Sequence, residues 1–355
     1  MQLDFESLLA AKSCGNPIDS TSNPNLMKPR EADDFIDLMN DNSKLLNDIT
    51  VVRTDKCKGQ VPRLDVAGPI SSGADATTCP VEHGVDDSYL TYDMVKYRSD
   101  FSIKADFLEC SKLGANATDT LVEMFAKQIN NDREAAAIEG NELLTTGDAQ
   151  SRYNNLMGVN DGFIAMACGC TPACQIIDAQ GAGPSPALFH DMRKALPPRY
   201  RAMRDEYRYI VGPQVFDWWA LERSSRPTLA GDQALASNDG GPIWGINLYE
   251  VPLWPENLPF GSTGATEGTV VMYTPLSNLV HFIQRDFSLE WERKPKCDAW
   301  EATMYWKSDQ MIRNPDQVVL AVNVDPCGTP YAGCGTQCGQ PTRTVNPCAC
   351  CQSYA

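Results

Sequence analysis

The chain has 355 residues, 43% of them hydrophobic, and a net charge of −16. That length suits two or three coupled modules of roughly 100–200 residues, with apolar content enough for sizeable cores. The surplus of carboxylates argues against a phosphate-neutralising grip on nucleic acid, and no run approaches the ~18 consecutive apolar residues of a membrane span.

The first residues carry Asp4 and Glu6 and lack a basic-then-apolar export pattern, so synthesis in the cytosol is expected. Met1 predicts that nothing is removed from the N-terminus. Residues 1–30, broken by Gly15, Pro17, Pro24 and Pro29, read as an extended arm that needs another surface to order it. From 31 to 49 a helical pattern places Phe35, Leu38 and Met39 on one face, then Leu45, Leu46 and Ile49 after a polar break.

Alternating apolar and polar positions at 51–54, 61–66, 90–92 and 95–97 predict two strand-like arms, joined by a glycine-rich acidic loop over 68–87. A hairpin with so little apolar content near its tip cannot bury itself, and isolated two-stranded ribbons are marginal in water. It therefore reads as an interaction arm.

The spacing of Leu121, Phe125, Ile129 and Ile138 predicts a helix over 118–139 about 30 Å long. Thr120 and Glu123 have capping-box spacing, and Gly140 stands where a left-handed C-terminal cap is expected. A second helix is predicted over 185–200, stopped by Pro197-Pro198, and a third from Pro213 through Trp218, Trp219 and Leu221. Strands are predicted at 209–211, 248–251, 269–273, 280–291, 302–306 and 318–324. The order is mixed, an α+β arrangement and not a regular βαβ series. After Pro326 the chain is rich in Cys, Gly, Pro and Thr, with no period.

Fourteen cysteines without an export signal leave three readings: metal ligands, buried thiols, or disulfides formed after release into an oxidising medium. Cys168, Cys170 and Cys174 could offer three thiolates to a metal, although Gly169 and Pro172 suggest a tight turn in which a local disulfide is equally open. Cys327, Cys334, Cys338, Cys348, Cys350 and Cys351 lie in a segment with no apolar core of its own, where covalent stapling has most to contribute. Cys14, Cys57 and Cys79, on the arm and the loop, are candidates for cross-links to another subunit.

Catalytic patterns are missing from the sequence. His83, His190 and His281 are not paired with a nucleophile by any motif, and there is no phosphate loop, zinc-protease helix or nucleophile elbow. No cofactor is expected. The cluster Arg193, Lys194, Arg199, Arg201 and Arg204 reads first as a solvated helix end placed well for the helix dipole. Trp218 and Trp219 read as core or interface anchors.

Several local strings, in order over residues 31–324, resemble the major capsid proteins of tailed bacteriophages (Caudoviricetes) with the Hong Kong 97-type fold. They are Phe35-Ile36-Asp37-Leu38-Met39, Leu45-Leu46, Val51-Val52-Arg53, Tyr92-Asp93-Met94-Val95-Lys96-Tyr97-Arg98, Asn131-Asp132-Arg133-Glu134 and Asn160-Asp161-Gly162. Phe189-His190-Asp191-Met192-Arg193-Lys194-Ala195-Leu196-Pro197, Tyr209-Ile210-Val211-Gly212-Pro213, Thr274-Pro275-Leu276-Ser277-Asn278-Leu279-Val280 and Gln284-Arg285-Asp286 complete them.

The resemblance implies an N-terminal arm and short helix over 1–50 and an extended loop hairpin over 51–100. A peripheral P domain over 101–157 and 276–313 follows, with a spine helix at 116–140, then a central A domain over 158–275 and 314–325. The Cys-rich tail over 326–355 departs from the family. Also implied are hexamers and pentamers closed into an icosahedral shell around double-stranded DNA held without sequence-specific binding. The partners would be other copies, a decoration or cement protein and a portal, with no membrane, and assembly in the host bacterial cytoplasm. Lys56, Lys58, Arg63, Arg98, Trp218 and Trp219 are the expected intersubunit contacts. An isopeptide bond from Lys56 or Lys58 to Asn314, a device of some relatives, is a further implication. Two other readings remain: a Cys-rich metal-binding or redox protein, and an encapsulin-like bacterial compartment shell.

Overall fold

The computed structural model describes residues 44–65, 86–104, 117–142, 152–224, 241–256, 258–260 and 266–328. The chain divides into two compact units. The larger includes the described residues 44–97, 129–287 and 305–328, and the smaller includes those of 98–128 and 288–304.

The described helices are α1 (Leu45–Asp48), α2 (Ala117–Glu139), α3 (Arg152–Met157), α4 (Phe163–Cys170), α5 (Pro186–Ala195), α6 (Pro198–Arg201) and α7 (Pro213–Ser224). The described strands are β1 (Thr50–Arg53), β2 (Lys58–Asp65), β3 (Asp86–Asp93), β4 (Val95–Lys104), β5 (Ile176–Asp178), β6 (Tyr207–Val211), β7 (Leu248–Glu250), β8 (Leu258–Phe260), β9 (Thr266–Pro275), β10 (Leu279–Lys294), β11 (Ala299–Ile312) and β12 (Val319–Val324).

In the larger unit a six-stranded sheet runs β5-β12-β9-β6-β7, with β8 added on β9. Its strands are apolar at successive positions because both faces are covered. Val270, Met272, Leu320 and Val322 point into a cluster with Ile138, Phe163 and Leu279. Their neighbours Val271, Tyr273, Val319 and Ala321 point the other way, against Leu188, Phe189 and Met192 of α5 and Trp219 of α7. A bulge between Ala321 and Val324, with Asn323 at φ 56, shifts the alternation and turns Val324 to the face of Val319 and Ala321.

A second sheet has the order β1-β10-β11-β4. Here the sequence reading of 51–54 is corrected: β1 pairs in parallel with β10, Val51 beside His281, and belongs to this sheet instead of the hairpin. Likewise 95–97 starts β4. The ribbon proper is β2 with β3, in register from Lys58↔Asp93 to Asp65↔Asp86. The loop expected over 68–87 lies almost wholly outside the described residues, as does the helical pattern before Lys44.

Two helix-end expectations also change. Gly140 is not left-handed; a Cβ there would lie 2.3 Å from the Asn160 carbonyl oxygen, so glycine serves the close crossing of two backbones. Gly162 donates to the Gly140 carbonyl across that crossing, at 2.7 Å. The helix predicted over 185–200 ends at Ala195, since Leu196 precedes Pro197 and is extended, and Pro198 then opens α6. Ser185 caps α5 by accepting from the Leu188 N–H.

Phe101 stacks on Phe125 at 4.0 Å between ring centres. Thr303 donates to Asp100, which also pairs with Arg98, and Lys294 pairs with Glu301. Asp298 turns the β10–β11 connection at φ 44.

Candidate functional site

The ribbon β2–β3, part of the larger unit, is rooted by three sets of contacts. Met94 N–H donates to the Cys57 carbonyl at 2.8 Å, closing the base. Tyr92, 4.6 Å from the stacked ring of Phe282, packs with Met94, Val280 and Met311 beneath it. Beside them the Asp309 carboxylate, 8% exposed, accepts from the Asp93 N–H at 2.8 Å, from Asn160 Nδ2 at 2.9 Å and from the Gln310 N–H at 2.8 Å. Burial, its largest influence, raises the Asp309 pKa despite these three donors. Further along, Val61 and Leu90 pack partly on this cluster while Tyr89 is 54% exposed, and at the base Lys58 pairs with Asp93 in the open.

A second polar anchor joins α1 to α2. Glu134, fully buried, accepts through Oε1 from the N–H groups of Lys44 and Leu45 and through Oε2 from that of Leu46. These are orphan donors at a helix start, where a carboxylate is favoured. Tyr249 fastens the same turn from outside, donating to Asp48 and to the Lys44 carbonyl. The chain thus emerges from the region before Lys44 at a fixed point on α2.

Below that anchor the buried face of α2 is unusually polar. Asn131 and Glu134 share it with Ile129, Ala137 and Ile138. His281 of β10 is 1% exposed with neither ring nitrogen hydrogen-bonded, and burial first, then Arg133, lowers its pKa to about 3. Glu139 at the last turn is pushed up to about 7 by burial.

No family model matches the chain. A Bacillus subtilis (strain 168) protein described as a prophage capsid protein, YqbE, is 24% identical over 308 residues, covering 84% of this chain and 93% of the relative. Among solved structures, the procapsid of satellite phage P4 with its size determination protein matches at TM-score 0.54 and 19% identity, over 80% of this chain and 95% of that one. The SrpI encapsulin complex of Synechococcus elongatus PCC 7942 matches at TM-score 0.51 and 12% identity, over 90% and 96%.

The chain has the Hong Kong 97-type fold of phage capsid proteins.

Within this capsid fold the expected contact residues are dispersed. Lys56 is exposed beside the root, Lys58 lies on β2, and Arg63 sits on β2 opposite Ser88. Arg98 belongs to the smaller unit and pairs with Asp100. Trp219 is buried and donates to the Gly241 carbonyl, while Trp218 is half-buried beside it. The two tryptophans are therefore first of all part of the core under α7.

The cysteine reading at 168–174 changes in shape. Cys168 and Cys170 lie on α4, not in a turn, with Cys168 buried and Cys170 and Cys174 exposed. The three do not converge, and among the described residues no three His, Cys, Asp or Glu side chains are placed to hold a metal. Cys57 and Cys327 are exposed free thiols. Cys14, Cys79, Cys334, Cys338, Cys348, Cys350 and Cys351 lie outside the described residues, as does His83.

Asn314 caps the turn before β12, accepting from Asp316 N–H, and its Nδ2 donates to the Tyr200 hydroxyl. Its amide is already engaged. The basic cluster has local duties: Arg201 donates to the Leu196 and Lys194 carbonyls at the end of α5, and Arg199 pairs with Asp316. Glu134 and Asp309 are what sequence reasoning missed, while His281, read there as a histidine without a catalytic partner, is buried in β10. A carboxylate inside the Asn131-Asp132-Arg133-Glu134 string, on the stripe shared with Ile138, was the available signal for the first.

Proposed function

We propose that the chain is the major capsid protein of a tailed phage, assembling as hexamers and pentamers into an icosahedral shell around double-stranded DNA. The observation that carries this is the prophage capsid relative, which spans most of both sequences, together with the capsid fold. The role is structural, with no catalytic step. Its partners are other copies, a portal and a decoration protein, and its place is the virion, after assembly in the host cytoplasm. The net charge of −16 supports a container whose walls do not grip the DNA inside.

The physical basis lies in how unevenly the chain is packed. The ribbon holds its residues in register and sets Val61, Leu90 and Tyr92 on the cluster around Phe282 with Tyr89 mostly exposed, while the six-stranded sheet is covered on both faces. A ribbon of two strands is stable when it lies on a neighbour, and closed symmetry repeats that burial around the shell. Exposed thiols at Cys57 and Cys327 support cross-linking between subunits, with the arm and tail cysteines as partners, once particles meet an oxidising medium. Ladders of subunit multimers on non-reducing gels of intact particles are expected; a monomer band alone rejects the cross-link.

The test of the main reading is negative-stain microscopy and size-exclusion chromatography of the purified chain. Closed particles or capsomers are expected, and a compact monomer at high concentration overturns it. The encapsulin match favours one alternative, a bacterial compartment shell. Nuclease-protected DNA in native particles separates the two, since a compartment shell would lack it.

A further inference from the structure

The turn between β1 and β2 is fastened to β10 through backbone and side chain together. Thr54 N–H donates to the Ile283 carbonyl at 3.0 Å, and Gln284 Nε2 donates to the Asp55 carbonyl at 3.0 Å. The same amide holds the Cys57 sulfur, with Nε2 at 3.1 Å and Oε1 at 3.4 Å from Sγ. Met94 N–H binds the Cys57 carbonyl, so both the backbone and the thiol of this residue have set positions. Cys57 is nevertheless exposed, and dissolved oxidants can reach its sulfur.

Lys307 of β11, the neighbour of β10, brings its Nζ to 3.8 Å from that sulfur. The strand's alternation puts it there: Met304, Trp306 and Ser308 are buried, while Tyr305 and Lys307 are half-buried on the other face. A lysine in a chain of net charge −16 has carboxylates in surplus to pair with, and Lys58, Lys194 and Lys294 each have one. Among the described residues Lys307 has none, and the polar atom it meets is Cys57 Sγ. A cationic neighbour favours the thiolate, which is the form that oxidants attack. An amine and a thiol 250 positions apart in the sequence are thus held in contact, within reach of solvent.

We propose that Lys307 and Cys57 become joined through a single oxygen atom when the chain meets dioxygen in an oxidising medium. One N–H bond of the uncharged amine and the S–H bond break, and N–O and O–S bonds form. Nitrogen and sulfur each give up two electrons, and these four reduce dioxygen. One of its oxygen atoms stays in the bridge; the other leaves as water with the two hydrogens. Excess thiol reductant reverses the step, returning amine, thiol and water as four thiols become two disulfides. Closing the contact takes a movement of about 1 Å, within the range of lysine's flexible four-carbon stem. An amine already held against the sulfur reacts at high effective concentration. The bridge would tie the root of the ribbon to β11 only after the chain has left the reducing cytosol. A sulfur so bonded has no further valence, so in any one copy the bridge and a cross-link from Cys57 to another subunit exclude each other.

The experiment is peptide mapping of the purified full-length chain, kept either in air-saturated buffer or under excess thiol reductant, with remaining thiols alkylated before digestion by trypsin. The air-exposed chain is expected to yield a linked pair of peptides carrying Cys57 and Lys307, uncleaved after Lys307 and about 14 Da heavier than the two peptides together. Reductant abolishes the pair. Cys57→Ser and Lys307→Arg each lose it, the second while keeping the positive charge. The gain in thermal midpoint between reduced and air-exposed chain should be larger in the parent than in Lys307→Arg. Separate peptides from the air-exposed parent overturn the proposal, and so do a linked pair lighter than the sum of its parts and a Cys57 found only in disulfides. Should a variant fail to fold, the parent's own peptides still decide. The bridge and the capsid reading fail separately: particles without the linked pair end the first, and a linked chain that never assembles ends the second.

Discussion

The six-stranded module and the ribbon β2–β3 are built on opposite principles. In the first, successive residues of β9 and β12 enter two different apolar clusters, so nearly every side chain is fixed by neighbours on one face or the other. In the second, strand pairing is regular from end to end, yet Tyr89 is mostly exposed and what anchors the ribbon is concentrated at Cys57, Tyr92, Met94 and Asp309. Regular hydrogen bonding does not by itself make a stiff element. Burial does, and among its described residues the ribbon's burial is concentrated where Val61, Leu90 and Tyr92 meet the cluster around Phe282.

That contrast can be broken from the stiff side first. Leu320→Ala removes a fully buried side chain from the middle of β12 and should cost about 3–5 kcal/mol in denaturant unfolding of the unassembled chain. Glu134→Ala comes next, at about 3–4 kcal/mol, because it strands three backbone N–H groups at the start of α1 beside a new cavity. Glu134→Gln keeps two of the three acceptor positions in reach and should lose about half as much. Equal losses for the two variants would show that shape, not the acceptor, is what Glu134 provides.

How much of this the sequence made legible follows the same division. Strands β9 and β12 of the six-stranded sheet were visible because Val270-Val271-Met272-Tyr273 and Val318-Val319-Leu320-Ala321-Val322 are continuous apolar runs, the mark of a strand covered on both sides, whereas the three-residue strands β5 and β8 were not predicted. Helix α2 was visible through its period. What escaped was pairing over long separations: 51–54 alternates as a hairpin arm would, and nothing local says that its partner is 280–283. Gly140 looked like a helix cap because the pattern ends there, and its reason, the backbone at Asn160 and Gly162, lies some twenty residues away. The expected contact residues were assigned by element, which places Lys58 and Arg63 on the ribbon, and for Trp218 and Trp219, read as core or interface anchors, the structure shows α7 packing them on the core. Buried polar groups such as Asp309 and His281 leave no periodic trace at all.

The pH dependence sharpens the comparison from the polar seam between these regions. Burial raises Glu139 from 4.5 to about 7, so the folded chain holds that proton more tightly than the unfolded one. Its contribution is then complete below about pH 4.5 and is lost as pH climbs through about 7, a change of about 3 kcal/mol at most. Glu134, Glu142 and Asp309 are raised as well and act in the same sense. Below about pH 6.5 the buried, neutral His281 acts in the opposite sense, since its folded pKa is lowered to about 3, so unfolding midpoints should fall only from about pH 6.5 to 8, and Glu139→Gln should flatten part of that slope. A variant with the parent's slope would mean that the carboxyl reaches water when ionised.

The smallest expected effect on stability carries the most weight for the ribbon. Lys58 and Asp93 are 75% and 61% exposed at their side chains, so their ion pair is screened by solvent and Lys58→Ala should move stability by no more than about 0.5 kcal/mol. Tyr89→Ser, at a side chain 54% exposed, should behave alike. If the ribbon is an arm whose cover comes from another copy, both substitutions must still reduce particle yield while the isolated chain unfolds as before. A lowered midpoint in the isolated chain would place the ribbon's cover within its own molecule, and the division between a stiff module and an arm awaiting its neighbour would not stand.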